Sequence, residues 1–201
     1  MELFDWLGRP LALDFANTVW PARRRGPVDA IASISDLRVW LDRAAIAATT
    51  QDLESRLDDL RGLRAAVRRL LAAASKDDLL PRRAMEIVNL FATEAPEVRQ
   101  IVPDGKGSRV VSEILSDDPA SLLFGRIAMS TMGVLTTVTV GVCPAPSCGL
   151  FFVVERAGQH WCSNACGNRA RVARHAAKRY DGSPGGSELR PPTAPAGANR
   201  G

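Results

Sequence analysis

The stretch CPAPSCGLFFVVERAGQHWCSNACGNR, residues 143–169, holds all four cysteines of the chain and decides how its C-terminal part folds. The spacing is Cys143-x4-Cys148-x13-Cys162-x3-Cys166. Four cysteines this close together form either two disulfides or one metal site. The N-terminal residues MELFDWLGRP lack the basic segment of a secretory signal, so we expect a reducing, cytoplasmic location in which disulfides are rare. The two close pairs then predict one structural Zn²⁺ bound by all four cysteines, with no open position for catalysis.

The residues around the cysteines predict a turn, a β-hairpin and a helix, in a treble-clef-like arrangement. Two prolines in CPAPSC stiffen a turn between the first two cysteines. The segment GLFFVVERAGQHW contains two short runs of β-type residues around ERAG, which predicts a hairpin there. Ser163 or Asn164 is a candidate cap for the following helix. Cys162 and Cys166 would then lie before and within its first turn.

The positive charge of the chain is concentrated after the metal site. Residues 1–142 contain 18 Lys/Arg and 19 Asp/Glu, a net charge of −1, whereas residues 143–180 sum to +5. Four thiolates and one Zn²⁺ together contribute about −2, so the module remains clearly positive. The candidate nucleic-acid contacts are Arg169, Arg171, Arg174, Lys178 and Arg179, of which Arg171, Arg174 and Lys178 share one helix face. A solvated helix face and a nucleic-acid surface both fit this pattern.

Upstream of the cysteines, the recurrence of apolar residues predicts a mainly helical domain whose core is built from Leu, Ala, Val and Ile. Helices are predicted in SISDLRVWLDRAAIAA, with Ser35 as cap, in DLESRLDDLRGLRAAVRRLLAAA and in PRRAMEIVNLFATEA. PDGKGS predicts a hairpin turn. Asp118 as cap and Pro119 at the first helical position start a further helix. The apolar stretch Ile127–Cys143 is too short and too rich in Ser and Thr for a membrane span, and is predicted as a buried helix.

The predicted fold class is therefore mainly α, with one small β-hairpin in the helical N-terminal domain and a small zinc module after it. Residues 1–140 form the helical domain and residues 141–180 the zinc module. Residues 181–201, in which Gly, Pro and Ala dominate, are predicted to be a flexible tail.

Three residues beside the second cysteine pair have structural and functional interpretations. Gly167 is expected to allow close approach of the backbone. Asn168 and Arg169 either support the zinc site through hydrogen bonds to backbone or sulfur, or contact DNA. We expect the structural role for Asn168, and both roles stay open for Arg169.

Three polar residues of the helical domain are singled out because they lie among apolar neighbours. Asp14, Asn17 and Arg64 are expected to cap helices and to form buried hydrogen bonds. The alternative is a pocket for a small effector, with these side chains as polar anchors. The sequence shows no paired carboxylates, no Ser/His/Asp or Cys/His set and no phosphate loop, so we do not expect an enzyme.

Two segments resemble known families. WCSNACGNRARVARHAAKR resembles the CGNR zinc finger, whose tetrapeptide stands here as residues 166–169. LALDFANT and LRGLRAAVRRLL resemble the ABATE domain, which usually precedes that finger. The sequence departs from the family after the first cysteine pair, where VVERAG replaces an Asp-Ser-Arg-like stretch. The resemblance implies a bacterial, stress-related transcription regulator. It is compatible with the alternative of an effector pocket in the helical domain, but it names no ligand.

Taken together, the sequence predicts a transcription regulator that binds DNA through its zinc module and senses an effector or dimerises through its helical domain. The alternative is an adaptor whose zinc module docks a protein partner. A single small module contacts little DNA, so we expect a homodimer or a second contact. We expect no membrane partner.

Overall fold

The computed structural model describes residues 8–22, 26–46 and 53–181, and it confirms a mainly helical fold with small antiparallel hairpins. The main helices are α1 (Leu11–Ala16), α2 (Ile34–Arg43), α3 (Leu57–Ala74), α4 (Arg82–Glu94), α5 (Pro119–Thr137) and α6 (Asn164–Asp181). Antiparallel pairs are formed by β1 (Val19–Ala22) with β2 (Gly26–Asp29), β3 (Glu97–Asp104) with β4 (Gly107–Ile114), and β5 (Val140–Val142) with β6 (Phe151–Val153).

Two helix starts show how capping sets the boundaries. The prediction for α5 is confirmed: the Asp118 carboxylate accepts hydrogen bonds from the backbone N–H groups of Ala120 and Ser121, and Pro119 is the first helical residue. The prediction that Ser35 caps α2 is wrong. Ser33 is the cap, because Asp36 lies three residues after it and the two residues form a reciprocal capping box.

The apolar stretch Ile127–Cys143 is a buried helix only in its first part. Helix α5 ends at Thr137, and the chain then forms the short strand β5. The β-branched residues between Thr137 and Cys143 suit a strand, and β6 supplies its partner. Within the part of the chain that the structure describes, no helix combines the length and apolar character needed to cross a membrane.

The hairpin at PDGKGS forms where the sequence predicts it, whereas the hairpin of the zinc module forms in a different place. PDGKGS does form a tight turn, which joins β3 to β4 and pairs Asp104 with Gly107. The predicted hairpin around ERAG is not formed, because β6 pairs with β5, on the other side of the first cysteine turn. The module thus contains the predicted turn, hairpin and helix, but the hairpin strands flank the turn instead of following it.

One continuous apolar core extends from the N-terminal helices into the zinc module. It includes Trp40 and Phe15, whose rings lie 5.7 Å apart, and Phe124 on α5. Phe151 and Phe152 of β6 belong to the same cluster, as does Cys143. The two regions therefore share buried surface. Residues 182–201, most of the predicted flexible tail, lie outside the described residues, and Asp181 belongs to α6.

Candidate metal centre

The four cysteines are brought together by a turn and by the start of a helix. Cys143 follows β5, Cys148 closes the turn before β6, Cys162 precedes α6 and Cys166 lies in its first turn. Three of them are buried and Cys162 is half-buried. Their ligand atoms all lie within 4.8 Å of one another.

The turn that carries the first pair is held by its own backbone. The N–H of Cys143 donates to the carbonyl of Leu150, the residue before β6, at 2.9 Å. The carbonyl of Cys143 accepts from the N–H of Gly149 at 3.1 Å. Gly149 has φ +68°, a conformation that favours glycine, and this lets the chain reverse direction within the turn.

The helix start places the second pair. The Ser163 hydroxyl accepts a hydrogen bond from the N–H of Cys166 at 3.3 Å, so Ser163 is the cap and Cys166 is the third residue of α6. Gly167 packs closely on Trp161: a Cβ at this position would lie 3.0 Å from the indole ring. This contact is the close approach expected of Gly167, because a larger residue would require the Trp161 ring to shift.

The sulfur–sulfur distances among Cys148, Cys162 and Cys166 fit zinc and are too long for disulfides, and Cys143 is also a free thiol. Cys148 lies 3.6 Å from Cys162 and 3.7 Å from Cys166, and Cys162 lies 3.5 Å from Cys166. A disulfide needs about 2.05 Å. A tetrahedron with Zn–S bonds of about 2.3 Å has edges of about 3.8 Å. The residues therefore fit one structural Zn²⁺ with a closed shell of four thiolates, and the predicted cofactor is supported.

The thiols also show why a cation is needed at this site. Hydrogen bonds from Cys148 and Cys162 lower the pKa of Cys143, because they stabilise its thiolate. The same hydrogen bonds to Cys143 raise the pKa of Cys148 and of Cys162, because these thiols act as the donors. Four thiolates at such short distances repel one another, so a bound dication is what allows all four to be ionised together.

Arg169, and not Asn168, supports the sulfur atoms. The Arg169 Nη2 atom donates to the Sγ of Cys166 at 2.9 Å, and the side chain is half-buried. Asn168 is exposed, and its carbonyl oxygen accepts a hydrogen bond from the guanidinium of Arg171. The structural role expected for Asn168 thus belongs to Arg169, whose positive charge lies beside a thiolate cluster with net negative charge. Asn168 instead orients Arg171.

The remaining cationic residues of the module lie along α6. Arg171 and Arg174 are exposed, as is the Val172 side chain between them. Lys178 and Arg179 belong to the same helix, and their side chains lie outside the described set. The metal centre therefore fixes the start of a helix that presents at least two guanidinium groups to solvent.

The side chains of Asp14 and Arg64 form hydrogen bonds to other residues of the helical region. The Asp14 carboxylate accepts hydrogen bonds from the N–H of Gly8 at 2.9 Å and of Arg9 at 3.2 Å, while its burial raises the pKa to about 6. Arg64 donates two hydrogen bonds of 2.6 Å to the carboxylate of Asp29. Burial alone would raise the pKa of Asp29, but the hydrogen bonds from Arg64 lower it.

Asn17 joins the two regions of the chain. It is 1% exposed; its side-chain amide donates to the carbonyl of Phe151 at 3.0 Å and accepts from the N–H of Phe151 at 2.8 Å. The Arg68 guanidinium lies 5.2 Å from the centre of the Phe151 ring. Asp14, Asn17 and Arg64 thus have separate internal partners, as expected of buried polar groups, and the structure does not bring them together as anchors of one pocket.

Two features of this region could not be found from the sequence pattern. One is the link between Asn17 and Phe151, which joins residues far apart in the chain. The other is a cleft of about 710 Å³ at the junction of the two regions, with Arg9 on one side and Arg156, His160 and Trp161 on the other. Both form between segments that lie far apart in the chain.

Comparison with known families gives two adjoining matches. Residues 9–138 match the family ABATE, described as "Putative stress-induced transcription regulator". Residues 139–179 match the CGNR zinc finger. The boundary between the matches falls at the start of β5, just before the metal centre. A search of curated proteins gave no match.

Proposed function

We propose that the chain, which belongs to the ABATE family of "putative stress-induced transcription regulators" and carries a CGNR zinc finger, binds DNA through its zinc module. The observation that carries the proposal is the exposed cationic face of α6, directly after the metal centre. A helix that starts at a fixed point of the fold holds its first side chains in defined positions. Guanidinium groups in such positions suit phosphate oxygens and base edges.

Arg171 and Arg174 are the residues that we propose as principal contacts. Both are exposed, and they lie three residues apart on one side of α6. The hydrogen bond that Arg171 donates to Asn168 reduces the conformations open to Arg171 before DNA is bound. Lys178 and Arg179 extend the same helix and are further candidates. We do not count Arg169 among the principal contacts, because its guanidinium already donates to the Sγ of Cys166.

The helical region is proposed to regulate this module through the shared core. Asn17 and Arg68 both contact Phe151, so a change in the packing of α1 or α3 would reach β6, which follows the first cysteine pair. We do not assign the proposed effector to Asp14, Asn17 and Arg64, because each already has partners within the fold. The reducing cytoplasm is the location that we propose, since it keeps the cysteines available as zinc ligands.

The test is the salt dependence of binding to a labelled random DNA duplex, measured by fluorescence anisotropy with zinc-loaded protein. Replacing Arg171 and Arg174 by Ala together should lower the affinity and reduce the slope of log K against log[salt] by about 2, one for each lost phosphate contact. The matched control replaces Arg82 and Arg83 by Ala. These side chains are 90% and 79% exposed on α4, far from the zinc module in the chain. Their replacement removes the same amount of positive charge.

Equal losses in the two double variants would show that binding follows net charge and not the face of α6. Wild-type protein that retains its zinc but does not bind duplex DNA would contradict the proposal. That outcome would favour the second candidate function, a protein-docking module, for which Val172, 69% exposed on α6, supplies an apolar contact.

A further inference from the structure

We propose that the hairpin β3–β4 is a dimerisation element, in which β4 pairs antiparallel with β4 of a second copy of the chain. In this arrangement Val111 lies on the two-fold axis. Arg109 of each copy then lies opposite Glu113 of the other. The inference rests on the hairpin itself and does not require DNA binding.

The hairpin lies apart from the core. Its side chains are mostly exposed, and the cross-strand neighbours Ile101 and Val110 are 77% and 64% exposed. A two-stranded hairpin without further packing is at best marginally stable in water. Its exposed apolar residues on a regular ladder indicate that the hairpin is completed by another surface.

The base of the hairpin is firmly held, so its strands have a defined position. Arg56 forms two hydrogen bonds to the carboxylate of Glu94, at 2.8 and 3.0 Å, at the end of α4. Ser121 at the start of α5 donates to the same carboxylate at 3.0 Å. The Arg56 guanidinium also lies 4.4 Å from the centre of the Phe124 ring. This cluster fixes both chain segments that lead into the hairpin.

The turn determines which backbone groups face outward. Gly105 has φ +59°, and the two-residue turn pairs Asp104 with Gly107. The turn hydrogen bond joins these two residues, so alternate residues of β4 direct N–H and C=O groups away from β3. These residues are Ser108, Val110, Ser112 and Ile114.

The two edges of the hairpin differ in their ability to pair. On β3, Pro103 lies opposite Ser108 and therefore occupies an outward-facing position. Proline has no N–H to donate, and it protects sheet edges from pairing. β4 contains no proline. The free edge of β4 is thus the one that can accept another strand.

Charge complementarity selects the register. Arg109, Val111 and Glu113 lie on one face of β4. Neither charged residue forms a salt bridge within the described residues, and the Glu113 carboxylate accepts one hydrogen bond, from the Gln100 side chain at 3.3 Å. A two-fold axis at Val111 brings Val110 opposite the partner's Ser112, so that outward-facing backbone groups meet. The same axis brings Arg109 opposite the partner's Glu113, twice by symmetry. A slip of two residues would place a charged side chain opposite Val111 instead.

The first experiment is sedimentation velocity on the zinc-loaded full chain without DNA. The wild type should be a dimer, and Arg109→Glu should weaken dimerisation about tenfold or more, because two attractions become repulsions. Glu113→Arg should do the same, and the double variant should restore the wild-type affinity to within about threefold. The control is Arg99→Glu, the same charge change on β3, which should leave the dimer unchanged.

A monomeric wild type would overturn the proposal, as would a double variant no better than the single ones or an equal effect of Arg99→Glu. Circular dichroism and zinc content establish that each variant is folded. Because no DNA is present, failure of the DNA-binding proposal would not affect this result.

The register is tested by disulfide cross-linking in a glutathione buffer with excess zinc. Val111→Cys should give a covalent dimer, because residues that face each other across this axis are a non-hydrogen-bonded pair with Cα atoms about 4.5 Å apart. Val110→Cys should cross-link about tenfold less, because that residue faces the partner's Ser112. More efficient cross-linking through Val110→Cys would overturn the proposed register.

Discussion

The helical region and the zinc module are stabilised in different ways. Helix α3 buries eight residues, among them Leu60, Leu63, Val67 and Leu70, against other helices. Helix α6 has the same length but buries only Cys166, Gly167 and Ala170 among those of its residues whose burial is described. One helix is held by apolar surface along its whole length, and the other is held at its first turn by a metal ligand.

The difference in burial between α3 and α6 indicates where the free energy of folding comes from in each region. Removing apolar side chains from water stabilises α3 and its neighbours, a contribution that is present with or without metal. The zinc module contributes fewer buried apolar side chains, among them Leu150, Phe151 and Phe152, so we expect its order to depend on Zn²⁺. Asn17 and the shared core connect the two regions, and we expect the helical region to keep its fold when the metal is absent.

The largest effect should come from the metal. Cys148→Ser removes a ligand, and we expect the loss of stoichiometric zinc because a structural site contributes on the order of 10 kcal/mol. Hydrogen exchange should show loss of amide protection in β5, β6 and α6, with protection kept in α3 and α5.

A matched control for this variant is Ser163→Ala, which removes the cap of α6 but no ligand. It should keep its zinc and cost about 1 kcal/mol. Equal loss of protection in α3 and α6 after Cys148→Ser would show that the two regions are one folding unit.

An intermediate effect is expected from the apolar core. Leu63 is fully buried, and Leu63→Ala should lower the free energy of unfolding by about 3 kcal/mol while the zinc content stays the same. Urea denaturation followed by circular dichroism measures the change. Leu79→Ala is the control, because Leu79 is 96% exposed and its loss should cost less than about 0.5 kcal/mol. A loss of zinc from Leu63→Ala at low urea would contradict the expectation that the apolar core stabilises the helical region and zinc stabilises its own module.

The smallest of these effects should come from the link between the regions. Asn17→Ala leaves the N–H and C=O of Phe151 buried without their partner, at a cost of about 2 kcal/mol. Zinc release and helix unfolding should then separate in urea, with zinc leaving first.

For this last comparison, Asn89→Ala on the exposed side of α4 is the control and should leave both midpoints unchanged. Coincident and unshifted transitions in Asn17→Ala would mean that the shared apolar contacts alone hold the regions together.

The features that the sequence could predict are those that depend on neighbours in the chain. The spacing of the cysteines predicted a cluster that the fold brings together, and Asp118 capped α5 as expected because capping uses groups two or three residues away. Ser33 and Asp36 carry the spacing of a capping box, a local signal that identifies Ser33 and not Ser35 as the cap.

The features that could not be predicted depend on distant partners. The β-type residues around ERAG favoured a hairpin, but pairing with Val140–Val142 across the cysteine turn was available and determined where β6 formed. Spacing alone also could not decide between Asn168 and Arg169, since the longer reach of a guanidinium brings it back to the sulfur of Cys166. The hydrogen bonds between Asn17 and Phe151 had no signal in either segment.

The link between Asn17 and Phe151 has a thermodynamic consequence. If zinc binding stabilises the packing of α1 against β6, zinc also raises the affinity for any molecule that binds the packed form of the helical region. That molecule then raises the affinity for zinc by the same factor, because coupling between two sites is reciprocal. A change in the zinc dissociation constant therefore indicates that a ligand has bound to the helical region. A measurement of metal affinity in the presence of candidate effectors would detect them without knowledge of the target DNA.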